Sequence, residues 1–317
     1  MLLSTAIDEL ILATHAAGRS QRTADGYRRH LSYLLAFLGD LGVDLVGASD
    51  LRRYAADLQA RQERFTRHPT ATPRAGGLAR DSVISYLRAV KRLFNWLAGE
   101  GIIGANPAHG LKLPPAGERN PKAYDLNDFV RLLAATAGES ASQRRDRALL
   151  LFLADTGCRV GGLSGLRCED VDLAQRTARL CEKGRRRRVV PFSATTAEAL
   201  QAWLKVRPAS DEPWLFVTLG PRVRQQRLSE DAVGEVLRRL KRRAGVSGRV
   251  NPHSFRHGFA REWLRARGDL ATLAQMLGHA DPGITLRYYA RFQPDELHDF
   301  HSRYSPVVRL YGDEAEE

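Results

Sequence analysis

The sequence predicts a mainly α-helical chain with a small β-sheet, organised as a helical N-terminal domain and a mixed C-terminal domain. Apolar side chains recur at helical spacing through most of the chain, but a proline-rich stretch at residues 106–124 interrupts that spacing. Residues 176–192 alternate about a charged turn, which is typical of a β-hairpin. A length of 317 residues suits two domains that each bury their own core.

Four amphipathic helices account for the first hundred residues. The clearest one carries Tyr27, Leu31, Leu34, Leu35 and Leu38 on one face. Ser49 is the expected N-cap of the third helix, and the Pro/Gly/Thr stretch 67–77 is the expected loop before the fourth. The predicted helices cover residues near 4–16, then 23–42, 49–62 and 78–101. We therefore expect a helical domain at 1–112, a linker at 113–123 and a second domain at 124–317.

The second domain mixes helices with the hairpin. Helical patterns occupy residues 126–136 and 144–157 before the hairpin. A helix at 195–206 is expected to open with a capping box formed by Thr195 and Glu198. Further helices are expected from Ser229 to about His301.

The charge of the chain favours a polyanionic partner. The formal net charge is +13, the sequence pI is about 10.1, and arginine is used far more often than lysine. Arginine binds phosphate oxygens in a planar fork, so nucleic acid is the expected partner. An arginine-rich, high-GC genome would give the same composition, so charge alone leaves the question open.

Targeting signals and cysteine chemistry are not indicated. The N-terminus carries Asp8 and Glu9 and has no basic leader, and no apolar run has membrane-spanning length, so we expect a cytoplasmic protein. The three cysteines form no CxxC pair and are expected to be reduced.

The stretch VNPHSFRHGF puts His253, Arg256 and His257 within one helical turn after Pro252. A metal site, an anion clamp and an ordinary solvated surface all fit this pattern. A zinc-protease helix begins with H-E-x-x-H, whereas Ser254 stands here at the second position and no carboxylate lies nearby in sequence. We therefore expect no metal.

Three other segments bear on the anion clamp, although each alone also fits a solvated turn or a packed helix face. Arg159 follows a glycine-interrupted helix end, and Lys183 precedes four arginines at the expected hairpin tip. His279 follows Gly278 at the expected end of another helix, and two tyrosines come shortly after it. The four arginines are Arg185, Arg186, Arg187 and Arg188, and the tyrosines are Tyr288 and Tyr289.

Taken in order, these residues resemble the tyrosine recombinase (phage integrase) family and its Xer-like members. The matching positions are Arg159, Lys183, His253-x-x-Arg256, Gly278-His279 and Tyr288. The resemblance covers nearly the whole chain. It implies an N-terminal helical SAM-like core-binding domain and a mixed α/β catalytic domain. The family's spacing from the LGH histidine to the nucleophile falls on Tyr288 rather than Tyr289.

The resemblance also implies an activity. Members are site-specific DNA recombinases that cut and rejoin DNA through a 3′-phosphotyrosyl intermediate, without a cofactor. The implied partner is double-stranded DNA with an inverted-repeat recombination site, bound by a homo- or hetero-tetramer. The expected place of action is the nucleoid in the cytoplasm.

The resemblance assigns a role to each matching residue. Arg159 and Arg256 would clamp the phosphate, and His279 would donate a further hydrogen bond. His253 would assist removal of the proton from Tyr288, Lys183 would protonate the leaving oxygen, and Arg185 to Arg188 would contact neighbouring phosphates. His257 is expected to support the helix rather than to contact DNA.

One position departs from the family's R-x-x-E/D pattern, because Gly162 stands where a supporting acid is expected. Two other functions stay open from sequence alone. A catalytically silent architectural or regulatory DNA-binding protein would not need every reactive position to be filled. A type IB topoisomerase-like strand transferase would share the nucleophile but fits the helical N-terminal half less well.

Overall fold

A computed structural model gives the structure of the chain. The described residues are 1–64, 72, 74–115, 124–182, 186–209, 212–220, 226–278 and 301. Contacts divide the chain into two compact units, Met1–Arg119 and Asn120–Glu317. Residues 116–123, most of the predicted linker, lie outside the described part.

The first unit is helical, as predicted. Its helices are α1 (Leu3–Ala16), α2 (Gln21–Leu38), α3 (Ala48–Ala60) and α4 (Arg80–Gly99). Two short antiparallel strands, β1 (Glu63–Arg64) and β2 (Arg74–Ala75), pair between α3 and α4. The apolar faces of the four helices form one core in which Leu31, Tyr54 and Phe94 are fully buried.

Two predicted boundaries in this unit were wrong. The second helix ends at Leu38 rather than at residue 42, because Gly39 adopts a φ of 79° that the helix cannot continue through. Ser49 is not the N-cap of α3. Gly47 takes that position, and the carboxylate of Asp50 accepts a hydrogen bond from the Gly47 amide at 2.8 Å.

The second unit combines helices with one three-stranded antiparallel sheet, which confirms the predicted fold class. Its helices are α5 (Leu126–Ala134), α6 (Ala141–Thr156), α7 (Val160–Ser164), α8 (Ala194–Val206), α9 (Glu230–Arg243), α10 (Pro252–Arg265) and α11 (Leu270–Leu277). Its strands, in sheet order, are β3 (Val171–Asp172), β4 (Thr177–Glu182) and β5 (Arg186–Pro191). The helices predicted beyond α11 lie outside the described residues, apart from His301.

Helix α6 runs through the centre of this unit. Six consecutive residues, 148–153, are buried, and α8 and α10 pack against them. Trp203 of α8 is fully buried, and its indole N–H donates to the carbonyl of Leu215 at 2.9 Å. A helical stretch that is buried on all sides must be enclosed by other elements, so this part of α6 supports the segments at both ends of the helix.

The cap predicted for α8 was wrong. The N-cap is Ser193, whose hydroxyl accepts from the Thr196 amide at 3.3 Å, so Thr195 and Glu198 form no capping box. The hairpin prediction is confirmed: β4 pairs with β5 in a register that sets Cys181 opposite Arg187 and Leu180 opposite Arg188.

Close packing against α10 depends on a missing side chain. Gly258 lies inside this helix, and the ring of Tyr124 rests on it beside Phe255. A Cβ atom at residue 258 would lie 2.5 Å from Cδ1 of Tyr124 and closer still to Cε1.

Within the described ranges, every helix is too short or too polar to span a membrane.

Two glycines inside helices allow a matched test of this packing. Gly258→Ala is expected to lower the free energy of unfolding by about 1–3 kcal/mol, because the methyl group overpacks the Tyr124 contact. Gly234→Ala in α9 is the control, since its nearest neighbour would be an Arg238 nitrogen at 3.6 Å. There the gain in helix propensity should raise stability by about 0.5–1 kcal/mol. Urea unfolding of both variants gives the comparison, and equal shifts would contradict it.

Candidate active site

Arg256 is the structural centre of the candidate site. Its side chain is almost entirely buried, with 5% of the residue exposed. One guanidinium nitrogen donates to the carbonyl of Gly157 at 2.9 Å, and the other donates to the carbonyl of Leu277 at 2.7 Å. Arg256 therefore joins the C-terminal ends of α6 and α11.

Both helix ends are formed in the same way. Gly157 and Gly278 are the C-caps of α6 and α11, and each has the left-handed conformation, with φ values of 56° and 66°. The last carbonyls of a helix lack intrahelical partners and carry partial negative charge. A buried guanidinium satisfies one carbonyl at each end, which brings the segments after both glycines close to one cation.

Arg159 lies two residues after the Gly157 cap. It is the N-cap of the short helix α7, has an extended backbone and is half-buried. A Cβ atom at Gly157 would lie 2.7 Å from the ring of Phe259, so the turn that presents Arg159 is pressed against α10. The predicted helix break before Arg159 is confirmed.

The first turn of α10 presents His253. Asn251 caps this helix by accepting from the Ser254 amide at 2.9 Å, the Ser254 hydroxyl accepts from the Asn251 amide at 3.0 Å, and Pro252 takes the first helical position. These interactions fix the start of the helix. His253 is exposed at that start while Arg256, one turn later, points inward.

The environment of the two imidazoles is positively charged. Partial burial, and then the charges of Arg256 and Arg159, lower the pKa of His253 below its ordinary value. Burial, and then His253 and Arg256, lower the pKa of His257 to about 4. Both rings are therefore neutral at pH 7. Arg159 is one of the positive charges that contribute to the lowered pKa of His253.

The hairpin presents its arginines on both faces of the sheet. Arg187 is exposed, like Cys181 opposite it. Arg188 faces the other way, is half-buried, and donates a hydrogen bond to the carbonyl of Met276 near the end of α11. Arg188 thus packs within the unit in this structure, whereas Arg187 faces solvent.

Part of the predicted site lies outside the described residues. The structure describes Arg159, His253, Arg256, Arg187 and Arg188, and it brings the first three together. The structure does not describe Lys183, Arg185, His279, Tyr288 or the side chain of Arg186. The predictions for these residues stay predictions.

Sequence reasoning missed the backbone atoms that Arg256 binds, and the Arg188 contact with α11. The two carbonyls lie 99 and 21 residues from Arg256 along the chain. One signal was available: a glycine directly after a helical pattern marks a C-terminal end with unpaired carbonyls. It does not reveal which cation will bind there.

Metal ligands do not cluster within the described ranges, where no group of three or more His, Cys, Asp or Glu side chains could hold an ion. The cysteines, all within the described ranges, form no disulfide: Cys158 is buried, Cys168 is half-buried and Cys181 is exposed. Positive charge in the candidate site comes instead from guanidinium groups.

Comparisons with known proteins bear on this arrangement. A sequence profile described as the phage integrase family matches residues 123–295, more than half of the chain. The chain is 30% identical to the tyrosine recombinase XerC of Alcanivorax borkumensis over 283 residues, covering 87% of this chain and 86% of that protein. It is 32% identical to the tyrosine recombinase XerC 1 of Ralstonia nicotianae, covering 85% and 83%.

Two solved structures are similar in fold. The Tn1549 transposon integrase in complex with transposon right end DNA has a TM-score of 0.73 and 19% identity, covering 96% of this chain and 99% of that one. The XerH site-specific recombinase bound to palindromic difH substrate has a TM-score of 0.69 and 18% identity, covering 90% and 81%. At these identities the two structures bear on the fold alone.

The Arg256 contacts predict a large loss of stability on a conservative change. Arg256→Lys cannot span both helix ends, so at least one buried carbonyl loses its partner. We expect the free energy of unfolding to fall by about 2–4 kcal/mol. Arg261→Lys is the matched control, because Arg261 lies on the same helix with 45% of its side chain exposed. Urea unfolding measures both, and a similar small effect for the two variants would contradict the assigned role of Arg256.

The lowered pKa of His257 predicts a pH dependence of stability. Because the folded state holds its pKa near 4, below the ordinary 6.5, only the unfolded state binds the proton between these values. Stability should therefore fall as the pH drops from 6.5 towards 4, and His257→Gln should reduce this fall. The free energy of unfolding at pH 7 and pH 5 measures it, with exposed His15→Gln as the control. An unchanged slope for His257→Gln would rule out this linkage.

Proposed function

The chain belongs to the phage integrase family and is a tyrosine-class site-specific DNA recombinase, and from this premise we propose how its residues divide the chemistry. Tyr288 is the nucleophile, and five side chains serve it. These are Arg159, Lys183, His253, Arg256 and His279. The supporting observation is the pair of Arg256 hydrogen bonds, which hold the chain two residues before Arg159 and two residues before His279 on one guanidinium.

The reaction is a transesterification at one DNA phosphate. The phenol oxygen of Tyr288 attacks phosphorus, the bond from phosphorus to the 5′ oxygen breaks, and a 3′-phosphotyrosyl link forms. The phenol proton passes towards His253, and Lys183 gives a proton to the leaving 5′ oxygen. A 5′ hydroxyl of the partner strand then reverses these steps and releases the tyrosine. The link conserves the bond energy, so no nucleotide cofactor is needed to reseal the strand.

The two arginines stabilise the transition state. Extra negative charge develops on the non-bridging oxygens as phosphorus becomes pentacoordinate, and donors fixed in advance lower the barrier most. Arg256 is held by backbone carbonyls before DNA arrives, so its position is set by the fold. Removing one such donor typically costs about 3–4 kcal/mol of the barrier.

The state of His253 suits proton acceptance. Its pKa is lowered by partial burial and by the charges of Arg256 and Arg159, so the ring is neutral at pH 7. A free phenol has a pKa of about 10 and stays protonated there. A neutral imidazole near two guanidiniums can accept the phenol proton while the arginines stabilise the developing phenolate.

DNA affinity depends on the basic hairpin. Arg187 is exposed on β5 and is available to a phosphate, and Arg185 and Arg186 are proposed to extend this contact. Arg188 already donates one hydrogen bond, to the carbonyl of Met276, and so is held against α11. Each neutralised phosphate releases counterions, so binding should weaken as salt rises.

The assembly and the biological role are proposed from the relatives. The chain resembles proteins named XerC, which favours an Xer-like recombinase over phage or transposon integration. We propose a core-binding domain at 1–112, a linker at 113–123 and a catalytic domain at 124–317. A tetramer would bind inverted-repeat sites, with residues 294–304 contacting a neighbouring subunit. The work would take place at the nucleoid.

The nucleophile can be tested with nicked suicide DNA substrates. The target sequence comes first from sequencing genomic fragments enriched by covalent attachment to the protein. We expect a protein–DNA adduct from the unmodified chain and from Tyr289→Phe but none from Tyr288→Phe, because only the first two keep the attacking phenol. The adduct should also form in the presence of EDTA.

Other outcomes would point elsewhere. Loss of the adduct only on changing Tyr289 would move the nucleophile by one residue, and a strict need for a divalent ion would contradict the arginine clamp. A chain that binds the site without forming any adduct would be a silent DNA-binding protein. Relaxation of supercoiled DNA without strand exchange would indicate a topoisomerase.

A further inference from the structure

We propose that Arg249 is a further DNA-binding residue of the candidate site, and that its guanidinium contacts the phosphate next to the one that Tyr288 attacks. The residues that match the family do not include this arginine. The inference rests on the proposed function, because it takes the attacked phosphate to lie at Arg159 and Arg256.

The backbone on both sides of Arg249 is held by the second unit. Val250, directly after it, is 8% exposed and belongs to the main hydrophobic core of this unit. Gly248, directly before it, lies close against the carboxylate of Asp128 on α5. These contacts fix where the Arg249 side chain leaves the backbone.

The Arg249 side chain itself faces solvent. The residue is exposed, whereas Val250 next to it is buried in the core. Among the described residues, none forms a hydrogen bond or an ion pair with Arg249. The neighbouring carboxylate of Asp128 pairs instead with Arg131, at 3.6 Å. The guanidinium therefore keeps its donors for a ligand from outside the described part of the chain.

The charge of Arg249 acts at the start of α10, where the candidate site lies. Arg249 comes four residues before His253, and the N-cap Asn251 stands between them. Burial is the largest cause of the lowered pKa of His253, followed by the charges of Arg256, Arg159 and Arg249. Arg249 is thus one of three guanidinium groups whose charges reach this imidazole.

The charges that act on His253 are all positive. Like charges that the fold holds together repel one another, and an anion that binds among them offsets this repulsion. In the proposed reaction Arg159 and Arg256 bind one phosphate. A DNA strand carries a phosphate at every nucleotide, so an exposed cation beside the first phosphate is placed to meet the next one.

A matched control separates a direct contact from a general effect of charge. Any exposed arginine adds to the net charge that attracts DNA, whether or not it touches a phosphate. Arg261 of α10 is such a residue, because 45% of its side chain is exposed and it pairs with Glu262 at 3.8 Å. Arg249→Gln and Arg261→Gln lower the net charge equally, so the difference between them measures the contact.

The first measurement is the Kd for the target duplex as a function of salt. All variants also carry Tyr288→Phe, so that the DNA is not cut. We expect Arg249→Gln to raise the Kd about tenfold at low salt and to reduce the slope of log Kd against log salt by about 0.9. Arg261→Gln should change the Kd less than about twofold and leave the slope unchanged.

Two comparisons decide the result. Arg249→Lys keeps the charge, so it should keep the slope, which would exclude a folding defect as the cause of the loss in Arg249→Gln. Equal effects of Arg249→Gln and Arg261→Gln would overturn the inference, because the loss would then follow net charge alone.

The second measurement locates the phosphate. Phosphates on either side of the cleavage position are replaced one at a time by neutral methylphosphonates. At the phosphate directly beside the attacked one, on one side of it, Arg249→Gln should weaken binding by less than about twofold, because its partner charge is already gone. An undiminished effect of Arg249→Gln at both adjacent phosphates would overturn the proposed contact.

The failure of this inference can be told apart from failure of the proposed function. A chain with Tyr288 intact that forms the adduct, while Arg249→Gln and Arg261→Gln bind DNA equally, overturns the role of Arg249 alone. A chain with Tyr288 intact that forms no adduct on its own target site overturns the proposed function, and this inference falls with it.

Discussion

The second unit depends on one buried cation that satisfies two helix ends. Arg256 gives two hydrogen bonds to the carbonyls of Gly157 and Leu277. Both acceptors are neutral backbone groups, and their dipoles stabilise the positive charge of the guanidinium. This matters for catalysis, because a neutral acceptor, unlike a carboxylate, does not cancel the attraction of a guanidinium for a phosphate. The same two bonds that stabilise the fold also prepare a site for an anion.

Much of this arrangement followed from the sequence. Helical periodicity gave the order of elements, and glycines after two helical patterns located the ends of α6 and α11. The spacing of His253 and Arg256 put both on the first turns of one helix, which α10 confirms. These features are local, since each is decided by residues within a few positions of one another. The chemical roles came from resemblance to a family, and periodicity alone would not have supplied them.

Two kinds of feature could not be predicted from the sequence. One is a contact between residues far apart in the chain, and the other is the choice between neighbouring residues that could fill the same position. Ser49 and Thr195 are acceptable N-caps, yet Gly47 and Ser193, each two residues earlier, take those positions. The contact of Arg188 with Met276 joins residues that are 88 positions apart in the chain. The run of four arginines alone therefore could not show that Arg187 and Arg188 face opposite ways.

The alternation along β5 restricts how this hairpin can change in evolution. Arg187 and Arg188 are adjacent, and the pleat sends one outward to solvent and the other inward to the end of α11. Deleting or inserting a single residue within β4 or β5 would exchange their directions, because strand side chains repeat every two residues. The outward arginine would then be buried, and α11 would lose a partner. A length change that keeps both directions would have to fall between the paired residues Glu182 and Arg186. That segment carries Lys183, the proposed proton donor, so the whole hairpin is restricted in length.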